Sequence, residues 1–155
     1  FQMLKEVTQP NTTVKECIRV LKDKGYRIIL ATNPLFPKIA TYSRIRWAGL
    51  NPGDFEWITT YENSSYCKPN IRYYDEILNK LGMAPEQCIM VGNDVNEDMC
   101  AEIMGIDTYL ITDCLINNGN RDIGRYKNGS LMDFYNYIKM LPGLSSAMAG
   151  ARRSR

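Results

Sequence analysis

Two hydrophobic periods alternate along most of this chain, and that alternation constrains the fold more than any single residue does. Val14, Cys17, Ile18 and Leu21 recur at helical spacing, and Thr13 with Glu16 reads as a capping box for a helix over 14–24. Gly25 supplies the stop, and 26–31 is a short β-rich run that ends in the turn Thr32-Asn33-Pro34. Pro37 opens a second helix to about Ala48, closed by Gly49; a turn over 51–54 and an alternating strand over 55–60 follow. After a polar loop over 61–67, Lys68-Pro69 begins a third helix with Ile71, Tyr74, Leu78 and Leu81 on one face and Gly82 at its end. The pattern then predicts a strand over 88–91, a helix through Met104 stopped by Gly105, and a strand over 107–111. Residues 113–128 lack periodicity and read as a loop, after which Ser130 and Asp133 form a capping box for a helix ending before Pro142. Strict alternation of this kind implies an α/β fold with a parallel sheet covered on both faces. Ligands of such sheets sit beyond the carboxyl ends of the strands.

Composition narrows the chemistry. The 155 residues suit one domain and contain no histidine, which removes histidine acid–base catalysis, Ser-His-Asp and Cys-His systems, and histidine-ligated zinc. The five cysteines, Cys17, Cys67, Cys88, Cys100 and Cys114, are odd in number and form no CxxC, so free thiols in a reducing, cytoplasmic setting are expected. Cys17 and Cys88 lie in apolar patterns and are expected in the core. The net charge of +2 rests on Arg152, Arg153 and Arg155, without which the body is slightly acidic, so nucleic-acid binding gains no support. No apolar run approaches the ~20 residues of a membrane span. No GxGxxG or Walker loop is present to support a nucleotide-binding reading.

Three polar clusters fall at strand ends or helix starts. Thr32 and Asn33 offer a hydroxyl and backbone N–H groups that suit phosphate oxygens, although in isolation a strand-ending Thr-Asn-Pro turn explains them better. Lys68 at the start of a helix opposes the helix dipole, so an anion facing it accounts for the choice better than local stability; the alternative is a solvated surface lysine. Asp94 and Asp98 stand four residues apart on a loop entering a helix. They suit Mg²⁺, or else serve as an N-cap and a first-turn acid, and Glu97 between them reads as solvated. Tyr66, Tyr73 and Tyr74 read as core aromatics without a function.

In this order the clusters resemble the haloacid dehalogenase-like hydrolases, a superfamily of Mg²⁺-dependent phosphatases and relatives. The apolar strand ending in Thr32-Asn33 resembles the family's second motif. Lys68-Pro69-Asn70 resembles its third, and Ile89 to Gly92 followed by Asp94 and Asp98 its fourth. The likeness spans about residues 12–112 and implies a Rossmann-like three-layer α/β/α core with a mainly parallel sheet. It further implies that Thr32 and Asn33 hold a phosphoryl group and that Lys68 neutralises the nucleophile and the phosphoryl charge. Asp94 would then bind Mg²⁺, and Asp98 would orient Lys68 or a metal-bound water. The family acid usually follows the glycine directly, a place taken here by Asn93; Asp94 preserves the four-residue spacing to Asp98 and is the expected metal ligand, with Asn93 the alternative, which would hold the metal more weakly.

The first motif of the family, an Asp-x-Asp carrying the nucleophile and the general acid–base, does not occur in these 155 residues. The family places that strand centrally, between those bearing Thr32 and Asp94. The expectation is therefore a piece of a longer protein: residues 1–10 as the end of a cap-domain helix, 11–142 as an incomplete core, and 143–155 as a disordered tail. On this reading a missing N-terminal segment or another chain completes the sheet, and the parent protein is a phosphatase acting on a small phosphorylated metabolite. These residues alone would be inactive. A scaffold that kept the fold without catalysis is the alternative.

Overall fold

The computed structural model describes residues 5–6 and 9–144. Most of the expected cap remnant and of the expected tail lies outside those residues.

The described residues form four α-helices and five short strands, which alternate as the hydrophobic pattern requires up to the last two strands. They are α1 (Thr12–Asp23), β1 (Ile29–Leu30), α2 (Lys38–Trp47), β2 (Trp57–Ile58), α3 (Arg72–Leu81), β3 (Ile89–Gly92), β4 (Asp107–Ile111), β5 (Asn128–Gly129) and α4 (Leu131–Met140). Every strand pairing is parallel. The pairings form two separate sheets, β1-β2 and β3-β4-β5, and no ladder joins β1 to β3 among the described residues. The third strand therefore ends its sheet at an edge, and Ile89 is 39% exposed, unusual for an apolar parallel strand.

Side-chain alternation along the strands builds the layers. Met90 packs with Ile29 and Ala31 against Tyr73, Tyr74, Ile77 and Leu78 of α3. Val91, Tyr109 and Ile111 point the other way, onto Cys17 of α1 and Phe134 and Ile138 of α4. Leu110 turns back to meet Val95, Met99 and Tyr126. The result is the expected α/β/α arrangement, in which one helix, α3, supports strands of both sheets.

Local details depart from the pattern in several places. The cap of α1 is Asn11, whose side chain accepts from Thr13 N at 2.9 Å and Val14 N at 3.3 Å, because Thr12 and Thr13 are already helical. The third helix starts at Arg72, so Lys68 lies ahead of its first turn and the dipole argument does not apply to it. Residues Met99–Met104 form a 3-10 helix; the run is six residues long and ends at Gly105 with φ 84°, and such short runs are where 3-10 geometry competes with α. The loop over 113–128 ends in a strand, Asn128–Gly129, which pairs with Leu110 and Ile111. Neither residue favours strands, so only the backbone ladder makes it one. The strands expected over 26–31 and 55–60 are ladder-paired only at Ile29–Leu30 and Trp57–Ile58, whereas Ser130 and Asp133 form the expected reciprocal capping box on α4.

Candidate active site

The loops that leave β1 and β3 meet the segment before α3, and this brings together every residue singled out from the sequence. Lys68 is the hub. Its Nζ donates to Asp98 Oδ1 at 2.6 Å, and the two side chains are only 5% and 8% exposed. Its backbone N–H donates to Asn33 Oδ1 at 3.2 Å, and its ammonium stands 5.7 Å from the centre of the Tyr73 ring. A buried cation held in this way carries an ion pair, a hydrogen-bonded backbone and an aromatic face, which a solvated surface lysine does not.

Asp98 spends both oxygens inside the protein. Its Oδ2 accepts from the Asp94 N–H at 3.0 Å. The carboxylate also lies under Gly92, where a Cβ would fall 2.1 Å from Oδ2 and 2.3 Å from Cγ. Only glycine at the end of β3 leaves room for this carboxylate to reach Lys68. Asp94 Oδ1 accepts from Asn96 N at 2.8 Å and Glu97 N at 2.9 Å, which is the turn-capping geometry that Asp offers. Its second oxygen takes no hydrogen bond among the described residues. Asn93 donates its side-chain N–H to the Cys114 carbonyl, and its own carbonyl accepts from Ile116 N at 2.8 Å. The amide at 93 is thus tied to the neighbouring loop.

Asn33 is similarly engaged. While Oδ1 accepts from Lys68, Nδ2 donates to Glu97 Oε1 at 3.1 Å. What Asn33 retains for a ligand is therefore its backbone N–H rather than its side chain. Glu97, read from sequence as solvated, is half-buried and holds Asn33. The Thr32 carbonyl accepts from Thr59 Oγ1 at 2.6 Å and from the Tyr73 hydroxyl at 2.9 Å, and the Glu97 carbonyl accepts from the Tyr74 hydroxyl at 2.7 Å. Thr59, Tyr73 and Tyr74 carry no motif, and their apolar surroundings conceal a polar task. Burial holds both phenols above their ordinary range, so they remain donors. Burial also raises the Cys100 thiol, whose sulfur faces the carbonyls of Pro69 and Glu97.

The donor set suits a divalent cation only in part. Among the described residues no three His, Cys, Asp or Glu side chains converge as a metal site. Mg²⁺ needs only one or two carboxylates when water and substrate oxygens complete its shell, and Asp94 retains one oxygen for such a role. A cleft of about 560 Å³ between α1 and the loop after α2 shares no residue with this cluster, and its Lys22–Asp54 and Arg19–Asp23 charges are paired with one another.

A buried lysine–carboxylate pair, a Thr-Asn turn and a Gly-bounded acidic loop, all at the carboxyl ends of parallel strands, are accompanied by a direct family match. Residues 2–101 match the family model of the haloacid dehalogenase-like hydrolases. The chain belongs to that family. It is 33% identical over 109 residues to glyceraldehyde 3-phosphate phosphatase of Methanothermobacter thermautotrophicus, covering 70% of this chain and 44% of that protein. It is 27% identical over 96 residues to pyrophosphatase PpaX of Bacillus pumilus, covering 62% and 43%. The chain thus spans less than half the length of these curated relatives. Its fold matches the magnesium-bound crystal structure of the HAD-hydrolase YfnB from Bacillus subtilis with a TM-score of 0.70, at 19% identity, over 90% of this chain and 60% of that one. None of the five cysteines of this haloacid dehalogenase-like core forms a disulfide, as expected, with Cys17 buried and Cys88 packed against the α3 cluster. No helix among the described residues is long and apolar enough to cross a membrane.

Proposed function

We propose that these residues are the phosphate-holding part of a Mg²⁺-dependent phosphohydrolase that acts on a small phosphorylated metabolite. The observation that carries the reading is the buried Lys68–Asp98 pair, tied through Asn33 to the turn at Thr32. In this reading the Thr32 hydroxyl and the Asn33 N–H donate to phosphoryl oxygens, and Lys68 supplies the positive charge that attracts and stabilises them. Asp98 orients Lys68, the role for which it has a contact, and keeps its charge compensated between turnovers. Asp94 is the carboxylate through which Mg²⁺ would be held; the ion when bound offsets phosphoryl charge and fixes its oxygens.

No Asp-x-Asp occurs among the 155 residues. The nucleophile in this reading arrives on a strand from outside them, between β1 and β3, where the two sheets are left unjoined. Both flanking strands lie at sheet edges among the described residues and pair in parallel with their other neighbour, which suits a parallel insert. These residues by themselves then bind phosphate without turning a substrate over.

Calorimetric titration of inorganic phosphate, with and without Mg²⁺, tests the reading. Expected is saturable binding that strengthens with Mg²⁺, is lost in Lys68→Met and Thr32→Val, and loses its Mg²⁺ dependence in Asp94→Asn. Absence of phosphate binding under both conditions overturns it in favour of a scaffold.

A further inference from the structure

We propose that Tyr73 and Tyr74 are positioning residues whose hydroxyls hold the two halves of the phosphate site in register. The inference rests on the phosphate-site reading above. It starts from the missing ladder: among the described residues β1 and β3 do not pair, so no strand ladder sets the height of the Thr32 loop against the Asp98 loop. Helix α3 packs beneath both strands, and its second and third residues reach opposite loops. Tyr73 donates to the Thr32 carbonyl and Tyr74 to the Glu97 carbonyl. The rings cross edge to face, 5.0 Å apart and 86° between planes, and so direct the adjacent hydroxyls apart.

The hydroxyls are not explained by packing. Both rings are buried, Tyr73 fully and Tyr74 to 3% exposure, and phenylalanine would fill the same apolar volume without a polar group to satisfy. Each phenol instead finds a carbonyl on a loop of the site, and each carbonyl belongs to a peptide plane that matters there. The Thr59 and Tyr73 hydroxyls lie 3.0 Å from each other and both reach the Thr32 oxygen, whose two lone pairs can receive one proton from each. Holding that oxygen toward α3 turns the planar trans peptide so that the Asn33 N–H faces the other way, toward the side left to a ligand. The Glu97–Asp98 plane is held at both ends, by Tyr74 on the carbonyl and by Asp98 N donating to Asp94 O at 2.9 Å. That fixes the backbone from which the Asp98 carboxylate reaches Lys68.

Tyr73→Phe and Tyr74→Phe, made singly in the 155-residue chain, test this, with Tyr137→Phe on α4 as control. Three quantities are read: inorganic phosphate affinity, unfolding midpoint in urea, and the carbon-13 shifts of the Thr32 and Glu97 carbonyls by NMR. Expected is a three- to ten-fold loss of phosphate affinity in each of the two variants, about what one neutral hydrogen bond supplies. The Thr32 carbonyl should shift in Tyr73→Phe alone and the Glu97 carbonyl in Tyr74→Phe alone, with no change in the control. Unchanged phosphate affinity with a lowered midpoint overturns the proposal, because the hydroxyls then serve the core only. A wild-type chain that takes no phosphate overturns the functional reading and the positioning role with it, even where the carbonyl shifts show both clamps in place. If Tyr73→Phe does not fold, Thr59→Val removes the second hydroxyl from the same carbonyl, together with its 3.0 Å contact to the Tyr73 hydroxyl, and must lower phosphate affinity.

Discussion

Lys68 Nζ donates to Asp98 Oδ1 at 2.6 Å, across thirty residues of sequence and with both side chains more than nine-tenths buried. Two charges in such a place are stable only together. Removing one partner leaves the other uncompensated, at a typical cost of about 3–5 kcal/mol. Asp98→Asn keeps an acceptor for the Asp94 amide and strands the ammonium, so its urea midpoint should fall by that order. Adding Lys68→Met to Asp98→Asn should recover more than half of the loss. Single variants within about 0.5 kcal/mol of wild type, the usual range for surface changes, would show that the pair is solvated.

Gly92 protects the same pair by having no side chain. A Cβ there meets the Oδ2, Cγ and Cβ atoms of Asp98 at 2.1, 2.3 and 2.6 Å, and neither carboxylate oxygen is free to move aside. Gly92→Ala should cost about 1–3 kcal/mol, the usual range for overpacking, and should abolish phosphate binding. Gly82→Ala is the comparison. It has no neighbour within 4 Å of its Cβ, so its cost comes from the left-handed φ of 59° alone and phosphate binding should persist.

The helix caps separate two local readings of the amino terminus of α1. Asn11→Ala removes the acceptor of two backbone N–H groups and should cost about 1 kcal/mol, as should Ser130→Ala at the capping box of α4. Thr13→Ala should fall within about 0.5 kcal/mol of wild type. Thermal unfolding of the three variants measures this, and a larger loss from Thr13 than from Asn11 would return the cap to Thr13.

Alkali should weaken the fold through groups that burial keeps protonated. Burial pushes the Cys17 thiol from its ordinary 9.0 up to about 11, and both site tyrosines are raised above 10.0 chiefly by burial. A folded-state value above the unfolded one means that the unfolded chain releases its proton first. Their contribution is complete below pH 9 and is lost as pH rises toward 11 and beyond. Urea midpoints should therefore fall between pH 9 and 11, less steeply in Cys17→Ala. At pH 8 an alkylating reagent should modify exposed Cys67 and Cys114 and spare Cys17; prompt labelling of Cys17 in the folded chain would contradict its burial.

The strand ends were the most legible part of the site. Thr32, Lys68 and Asp98 sit beside turns that the pattern marks clearly, and the structure brings them together. Glu97 and the tyrosines were less legible. Glu97 looks like any acid near a helix start until Asn33, 64 residues away, donates to it. Tyr73 and Tyr74 fall at helical spacing with Ile77 and Leu78, and their burial is what that spacing predicts. The destinations of their hydroxyls, 41 and 23 residues distant, leave no trace in a local pattern.

Sequence by itself determined the order of the α-helices and of β1 to β4, the parallel pairing and the positions of the polar turns. Those features follow from side-chain periodicity and from Gly, Pro, Ser and Asp acting within a few residues of one another. Tertiary structure alone decided which acid pairs with Lys68 and that the Asn33 side chain is consumed inside the site. It alone gave two core tyrosines to the site loops. The physical reason is that hydrogen-bond and ion-pair partners are selected by geometry after the layers pack. Burial then makes each polar group that finds a partner matter and each one that finds none costly.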